Sequence, residues 1–159
     1  MNIRFAVKED VPVILSLIKH LAEYEKMLDN VSATEEALTN TLFGPKTYAE
    51  TILAEVDGKV AGFALFFHNY STFLASPGIY LEDLCVLESY RGQGIGQALL
   101  SYLAKLCIER DCSHFEWQVL DWNEDAIRFY ESNGAEIKRS WLPVRVSGDE
   151  LKQLANQID

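Results

Sequence analysis

The stretch of sequence that decides the fold is Arg91-Gly92-Gln93-Gly94-Ile95-Gly96, which lies between an apolar segment at 79–87 and a long amphipathic segment. The apolar segment predicts a strand, and apolar residues at helical spacing predict a helix that runs to about Arg110. Glycines let the backbone bend sharply and let a ligand approach it closely. The N–H groups and the positive dipole end at a helix start attract anions. We therefore predict a strand–turn–helix unit with an anion site, suited to a pyrophosphate, at 91–97.

Two common phosphate-binding motifs do not fit this turn. The pattern GxxxxGK(S/T) is absent, and the pattern GxGxxG fails because Leu99 stands at the third glycine position. The alternative is an ordinary connection in which the glycines serve backbone geometry alone. Arg91 adds a positive charge beside the turn, and this charge favours the anion site.

The segments before the turn predict two helices and an antiparallel hairpin. They are a strand at 2–7, helices at about 11–27 and 34–43, strands at 51–56 and 60–68, and a loop at 71–78. Asp57-Gly58, between the two later strands, is a dipeptide typical of tight hairpins.

The segments after the turn predict further alternation of strands and helices. They are a strand at 114–120, a helix at 123–132, strands at 135–139 and 141–146, and a helix at 148–156. The element order β-α-α-β-β-β-α-β-α-β-β-α predicts a mixed α/β domain. Without a linker or a repeat, residues 1–159 are expected to form a single domain.

Composition excludes several classes of protein. The chain has 159 residues, 48% of them hydrophobic, which is enough for a full core and argues against disorder. No apolar run reaches the roughly 20 residues that a membrane helix needs, and the charged first residues do not resemble a signal peptide. We therefore expect a cytoplasmic protein that does not bind membranes.

The three cysteines, Cys85, Cys107 and Cys112, do not indicate a disulfide scaffold or a metal site. Their number is odd, and the spacing of the last two does not match a CxxC metal knuckle. No metal is expected. Cys85 precedes the glycine turn, and we interpret it as a buried, inert thiol rather than a nucleophile.

The net charge of −10 bears on the ligands of the protein. A strongly negative surface repels nucleic-acid backbones, and we expect no nucleic-acid partner. The same field favours a small cationic molecule, although acidic proteins without such a ligand are common.

The wider sequence resembles a known enzyme family. The spacing Arg91-x-x-Gly94-x-Gly96 resembles the acetyl-CoA pyrophosphate loop of the GNAT N-acetyltransferases. YLEDLCV (80–86) and VLDWNEDAIRFYESNGA (119–135) resemble the diamine acetyltransferase branch, which includes the spermidine/spermine and thialysine enzymes. The resemblance covers nearly the whole chain and implies a GNAT-type, mostly antiparallel sheet flanked by helices. It also implies direct transfer of an acetyl group from acetyl-CoA to a primary amine.

The resemblance assigns most of the candidate cofactor-binding residues. Backbone groups of Leu84 and Val86 are candidates to pair with the pantetheine amides. Asn123 is a candidate both to cap its helix and to bind the pantetheine arm. The full set is Leu84, Val86, Arg91, Gly92, Gln93, Gly94, Ile95, Gly96, Gln97, Asn123, Ala126 and Tyr130.

Two residues are candidates for proton transfer. A free alkyl amine has a pKa near 10.4, so only about one molecule in 10³ is neutral at pH 7 and the site must assist deprotonation. The resemblance points to Glu82 as the base, directly or through water; a plain surface carboxylate is the alternative. It places the general acid for the departing thiolate at Tyr130, for which a core aromatic is the alternative.

The acceptor amine is predicted from nearby charges. Glu82, Asp83, Asp121 and Phe73 are the candidate substrate-binding residues, and alternation along the strand predicts that Asp83 faces away from Glu82. Polyamine-acetylating relatives carry an acidic residue and a tryptophan where this chain has Ser71 and Phe73. We therefore expect a lysine analogue such as thialysine, or a diamine, to be preferred over a long polyamine.

Other functions and the assembly remain open at this level. A CoA-binding regulatory module without turnover, and a protein lysine or N-terminal acetyltransferase, are the alternatives. Residues 141–146 (WLPVRV) alternate as an edge strand does, and such edges invite pairing. Relatives in this branch dimerise through C-terminal segments, so the resemblance implies a homodimer.

Overall fold

A computed structural model describes residues 1–158, which form five strands and five α-helices. They are β1 Asn2–Phe5, α1 Val11–Tyr24, α2 Glu35–Leu42, β2 Glu50–Val56, β3 Lys59–Ser71, β4 Ser76–Val86, α3 Ile95–Glu109, β5 Phe115–Trp117, α4 Glu124–Ser132 and α5 Gly148–Ala155. Short 3-10 turns precede α1, α2 and α3. The chain divides into two compact units, Met1–Gln118 and the residues from Val119 onward.

The first unit holds one sheet with the strand order β1-β2-β3-β4-β5. Every neighbouring pair is antiparallel except β4 and β5, which are parallel. The β2–β3 hairpin turns at Asp57 and Gly58, whose φ angles of 50° and 74° are the positive values that tight hairpins require. The predicted mixed, mostly antiparallel α/β fold is therefore confirmed.

Helices cover both faces of this sheet. The apolar stripe of α1 packs with α2 against one face, in a core that includes Ile14, Leu53, Phe63 and Cys85. The buried side of α3 packs against β2, β3 and β4. Because buried apolar area stabilises a fold by roughly 25 cal/mol per Å², these two layers hold the sheet and the start of α3 in place.

A β-bulge interrupts β4 at Glu82. Leu81 pairs with Phe66 of β3, whereas Asp83 pairs with Leu65, the preceding residue, so Glu82 is an extra residue in β4. Bulges disrupt the alternation of side chains and re-aim them. The prediction that the side chains of Asp83 and Glu82 face opposite sides of the sheet depended on regular alternation along β4. Because the bulge interrupts this alternation, the prediction no longer follows from it.

The hairpin between β3 and β4 is longer than the sequence predicted. Ser71 pairs with Ser76, so the predicted loop at 71–78 shortens to a turn. Residue 75, an alanine at φ 48°, makes the left-handed bend of that turn. The predicted strand at 114–120 is also shorter, since β5 covers three residues.

The second unit differs most from the predicted element order. Within the described residues neither 135–139 nor 141–146 forms a strand, so both predicted strands are wrong. Alternation marks a segment suited to one buried face, but a strand also needs a partner for its N–H and C=O groups. Trp141 and Val144 are 79% and 90% exposed, so neither face of this segment is covered. Pro143 also lacks the N–H group of a strand residue.

Candidate active site

The edge of β4 next to the glycine turn presents backbone groups that do not pair with β3. The N–H of Leu87 donates to Ala61 O of β3 at 2.9 Å. Since alternate residues of a strand direct their backbone groups to opposite sides, those of Leu84 and Val86 face away from β3. The pairing of β4 with β5 covers only Ile79–Leu81. The two strand residues predicted to contact a pantetheine arm thus lie on the edge of β4 beyond that pairing.

The glycine turn has the geometry of an anion site. Gly92 and Gly94 have φ angles of 75° and 78°, a conformation that favours glycine. Ala98 is the first residue of α3 whose N–H has a partner, since it donates to Gly94 O at 2.9 Å. No side chain caps the start of this helix. The N–H groups of the three preceding residues, Ile95 to Gln97, therefore point out of the helix start.

Gly96 is the glycine that backbone geometry does not explain. It lies inside α3, and a Cβ atom placed on it would meet only Val86 Cγ2, at 3.9 Å. Neither strain nor internal packing requires glycine here. A smooth surface above the helix start is what a closely approaching phosphate needs, so the residues present fit a bound pyrophosphate.

Arg91 is held beside this turn by two contacts. Its Nε donates to Val86 O at 3.1 Å, and its guanidinium carbon lies 4.9 Å from the centre of the Tyr24 ring. The side chain therefore links the end of β4 to the end of α1. It places a positive charge at the same end of β4 as a group of carboxylates.

Those carboxylates are Glu25, Glu82 and Asp83, which we call the acidic cluster. Burial, together with the negative charges of Glu82 and Glu25, raises the pKa of Asp83 to about 6. Burial also raises the pKa of Glu25. Within residues 1–158 none of the three forms an ion pair or a side-chain hydrogen bond. A cationic ligand would relieve their repulsion.

Sequence reasoning missed Glu25. Glu25 falls near the end of the helix predicted at about 11–27, as one of 24 acidic residues in the chain. Glu25 follows the last residue of α1, where the chain comes close to Asp83 of β4. Only the packing of α1 on the sheet brings these two residues together, and no local sequence signal marks it.

Cys85 agrees with its interpretation as an inert thiol. Its side chain is 5% exposed and belongs to the core against α1 and α2. Burial raises the pKa of the Cys85 thiol to about 11, although the Arg91 charge opposes that rise. A thiol that stays protonated at neutral pH is a poor nucleophile.

Phe73 lies apart from the acidic cluster. It is fully exposed at the tip of the β3–β4 hairpin. Ser76, where β4 begins, is six residues before Glu82, which is roughly 20 Å of strand. The structure thus brings Glu82 and Asp83 together but does not bring Phe73 to them along this hairpin.

The second unit carries the remaining predicted site residues on and beside α4. Asn123 caps this helix, since its Oδ1 accepts from Ala126 N at 3.3 Å. Tyr130 lies in the last turn, partly buried, with its ring centre 5.5 Å from that of Phe129. Asp121 is exposed two residues before the cap. The cap therefore fixes the start of the helix that carries Asn123, Ala126 and Tyr130.

Comparison with known proteins identifies the family. Residues 16–135 match the acetyltransferase (GNAT) family. The chain belongs to the GNAT acetyltransferases. The mouse thialysine N-epsilon-acetyltransferase is 34% identical over 98% of this chain and 98% of its own length. The bovine protein of that name is 37% identical over 98% and 97%, and the L-ornithine N5-acetyltransferase NATA1 of Arabidopsis thaliana is 34% identical over 96% and 87%. The chain is therefore an N-acetyltransferase of the GNAT family.

Solved structures share the fold of this GNAT protein. An integron cassette protein from the mobile metagenome of V. cholerae superposes with a TM-score of 0.81 and 29% identity, covering 97% of this chain and 96% of its own. An aminoglycoside acetyltransferase from a soil metagenome has a TM-score of 0.77 at 20% identity, over 92% and 96%. The latter likeness supports the fold alone. Within residues 1–158 no helix is long and apolar enough to cross a membrane, and no three His, Cys, Asp or Glu side chains are grouped so that they could hold a metal ion.

The raised pKa of Asp83 predicts a pH-dependent cost to stability. The folded protein holds the Asp83 proton more tightly than the unfolded chain, in which the pKa has its ordinary value of 3.8. The protonated group therefore stabilises the fold below pH 3.8, and this stabilisation is lost as the pH rises through about 6. This change in pKa corresponds to a free energy of the order of 3 kcal/mol. We therefore expect Asp83→Asn to raise the free energy of unfolding at pH 8 but not at pH 4, by urea denaturation. The exposed carboxylate variant Asp29→Asn is the control, and an equal effect at both pH values would contradict the prediction.

Proposed function

We propose that the chain transfers the acetyl group of acetyl-CoA directly to a primary amine of a small cationic substrate, with a lysine-like molecule preferred. The observation that carries the proposal is the acidic cluster, three unpaired carboxylates at the end of β4 that leads into a glycine turn with open backbone N–H groups. The family match supports it as well, since residues 16–135 span both compact units. We therefore propose that the units work as one domain.

The glycine turn and the edge of β4 would hold the donor. GNAT acetyltransferases use acetyl-CoA, which when bound supplies a thioester carbonyl for attack and a thiolate leaving group. The N–H groups of Ile95, Gly96 and Gln97 are the donors for its pyrophosphate, and the backbone groups of Leu84 follow the arm along the strand edge. Arg91, tied to Val86 O, contributes charge near the turn. Asn123 and Ala126 are proposed to bind the pantetheine arm as well.

The acidic cluster would hold and deprotonate the amine. Asp83 and Glu25 are partly buried, so their charges act on an ammonium with little screening. Glu82 is exposed at the bulge, where its carboxylate can take a proton from the amine directly or through a water molecule. A carboxylate that binds the amine also stabilises its charged ammonium form and so opposes deprotonation. Asp83 and Glu25 would therefore bind the ammonium, and Glu82 would accept its proton.

Tyr130 is proposed to donate a proton to the departing CoA thiolate. A phenol has a pKa of about 10, close to that of an alkyl thiol, so proton donation to a departing thiolate is nearly balanced in energy. Its position in the last turn of α4 is fixed by the helix that Asn123 caps.

The preferred acceptor follows from where the carboxylates lie. All three acidic groups of the cluster gather at one end of β4, whereas Ser71 and Phe73, at the hairpin, offer no acidic anchor for a distant ammonium. A long polyamine gains from separated acidic anchors, and a short molecule needs only one. The thialysine and ornithine activities named for the relatives are consistent with a short acceptor.

A thiol-release assay tests this proposal. With acetyl-CoA saturating and ionic strength fixed, because screening weakens multivalent substrates more, we expect kcat/KM to be higher for thialysine, ornithine and short diamines than for spermine. Tenfold better use of spermine would overturn the acceptor assignment. Absence of thiol release with every amine would overturn the catalytic proposal itself.

The acidic cluster has a matched control in the same assay. Asp83→Asn is expected to raise KM for thialysine about tenfold or more and to leave the dissociation constant of acetyl-CoA unchanged. Glu109→Gln, which removes an exposed carboxylate from α3, changes the net charge equally and should leave KM unchanged. Equal effects of the two variants would show that the net negative charge of the protein, and not the acidic cluster, attracts the amine.

We further propose that the chain forms a homodimer through residues 141–146. Trp141, Leu142 and Val144 are 79%, 81% and 90% exposed, an apolar content that a soluble surface rarely presents in one extended segment. The segment alternates as an edge strand does, but none of the described residues 119–158 forms a strand that pairs with it. A second copy offers an identical segment for antiparallel pairing.

Light scattering tests the dimer. At micromolar concentration we expect about twice the 18.0 kDa chain mass, and Val144→Asp should shift the protein toward that single-chain mass. Ile108→Asp places the same charge at an exposed apolar residue of α3 and should leave the dimer intact. A wild-type mass near 18 kDa would contradict the proposal.

A further inference from the structure

The C-terminal end of α3 brings two cysteines together through its capping geometry. Asp111, with φ 54°, adopts the left-handed conformation that ends many helices. The N–H of Cys112, the next residue, donates back to Cys107 O at 2.9 Å. In this type of cap the side chains of the two bonded residues frequently pack against each other, and here both are thiols.

The two thiols interact electrostatically and are unequally exposed. The Cys112 thiol interacts with that of Cys107, which lies against the His114 carbonyl at 3.8 Å. Cys107 is 7% exposed, whereas Cys112 is half-buried and reachable from solvent. Burial and the neighbouring Cys112 raise the pKa of Cys107 to about 11, with Arg110 opposing the rise.

We propose that Cys107 and Cys112 are a reversible dithiol–disulfide site that ties the end of α3 to the segment entering β5. A disulfide needs Cα atoms roughly 4.4–6.8 Å apart. A direct backbone hydrogen bond between two residues whose thiols interact keeps their Cα atoms close together. The remaining cysteine, Cys85, lies in the core against α1 and α2, on the other face of the sheet from α3. It is therefore not a competing partner.

The oxidant is a low-molecular-weight disulfide such as glutathione disulfide. The exposed Cys112 thiolate attacks one of its sulfurs, which forms a mixed disulfide and releases one thiolate that takes up a proton. Cys107 then loses its proton to solvent and attacks the Cys112 sulfur, which forms the internal disulfide and releases the second thiol. Two protein thiols are oxidised, and one small disulfide is reduced to two thiols.

Peptide mapping of the full chain tests the site. The folded protein is incubated with excess glutathione disulfide, quenched in acid, alkylated after unfolding and digested with trypsin. Cleavage after Lys105, Arg110 and Arg128 separates the two cysteines, so the internal disulfide joins peptides 106–110 and 111–128. We expect this linked pair, with Cys85 recovered in alkylated form, and its loss on treatment with dithiothreitol.

Two variants separate the steps. Cys107→Ser should accumulate the glutathione adduct at Cys112, and Cys112→Ser should form almost no adduct at Cys107 under the same conditions. In the wild type, adduct conversion to the linked pair should rise with pH between 7 and 9, because only the Cys107 thiolate attacks. A stable wild-type adduct without linked peptides, or a linkage through Cys85, would overturn the proposal.

Discussion

Substitution of Gly96 by valine is expected to weaken acetyl-CoA binding about a hundredfold or more, equivalent to roughly 2.7 kcal/mol. Gly96 lies in the first turn of α3, where a Cβ would meet only Val86 Cγ2 at 3.9 Å. The protein itself therefore has room for the side chain. A valine would fill the space that a phosphate must enter to reach the N–H groups of the helix start.

The variant separates ligand contact from folding. Valine is no worse than glycine inside a helix, so Gly96→Val should fold normally, whereas Gly94→Val would add strain because Gly94 has φ 78°. Titration calorimetry should show a graded loss, with Gly96→Ala intermediate between wild type and Gly96→Val. Ala104→Val, on the exposed side of the same helix, is the control. Unchanged affinity in a folded Gly96→Val protein would exclude a phosphate site at this turn.

The parts of the fold that depend on short-range signals are predictable from the sequence. Asp57-Gly58 specifies the β2–β3 hairpin because few other residues accept two positive φ angles. Thr34 and Asn123 cap α2 and α4 with their own side chains, as their positions before helical segments indicate. The glycine turn likewise follows from three glycines between a strand and an amphipathic helix.

The parts that depend on distant partners are not predictable from local pattern. Residues 141–146 alternate like a strand, but alternation cannot show whether a partner strand exists. The bulge at Glu82 leaves no local sequence signal, yet it determines which way two carboxylates face. Glu25 joins the acidic cluster only because α1 packs on the sheet. The charge balance of the candidate site thus depends on tertiary contacts.

Substitution of Tyr130 by phenylalanine is expected to lower kcat roughly 10²–10³-fold, in the range of general-acid contributions. The change removes one hydroxyl group and keeps the ring that lies 5.5 Å from Phe129. The Asn123 cap at the other end of α4 does not involve Tyr130, so the dissociation constant of acetyl-CoA should change little. Steady-state kinetics and calorimetry on the same preparation measure the two quantities. Tyr48→Phe, which removes an exposed hydroxyl from the first unit, is the control.

The identity of the leaving group distinguishes an acid from a packing residue. A less basic thiolate needs less help from a proton donor, so the ratio of wild-type to Tyr130→Phe rates should shrink when an aryl thioester of acetate replaces acetyl-CoA. If Tyr130 only packs in its unit, Tyr130→Phe would slow the reactions of both donors by the same factor. A shift in the position of α4 affects both donors alike, because it does not depend on which thiol leaves. Wild-type kcat in Tyr130→Phe, or a constant ratio with both donors, would remove Tyr130 from the proton-transfer role. Both measurements use the intact chain, so they also test whether the second unit contributes to the reaction.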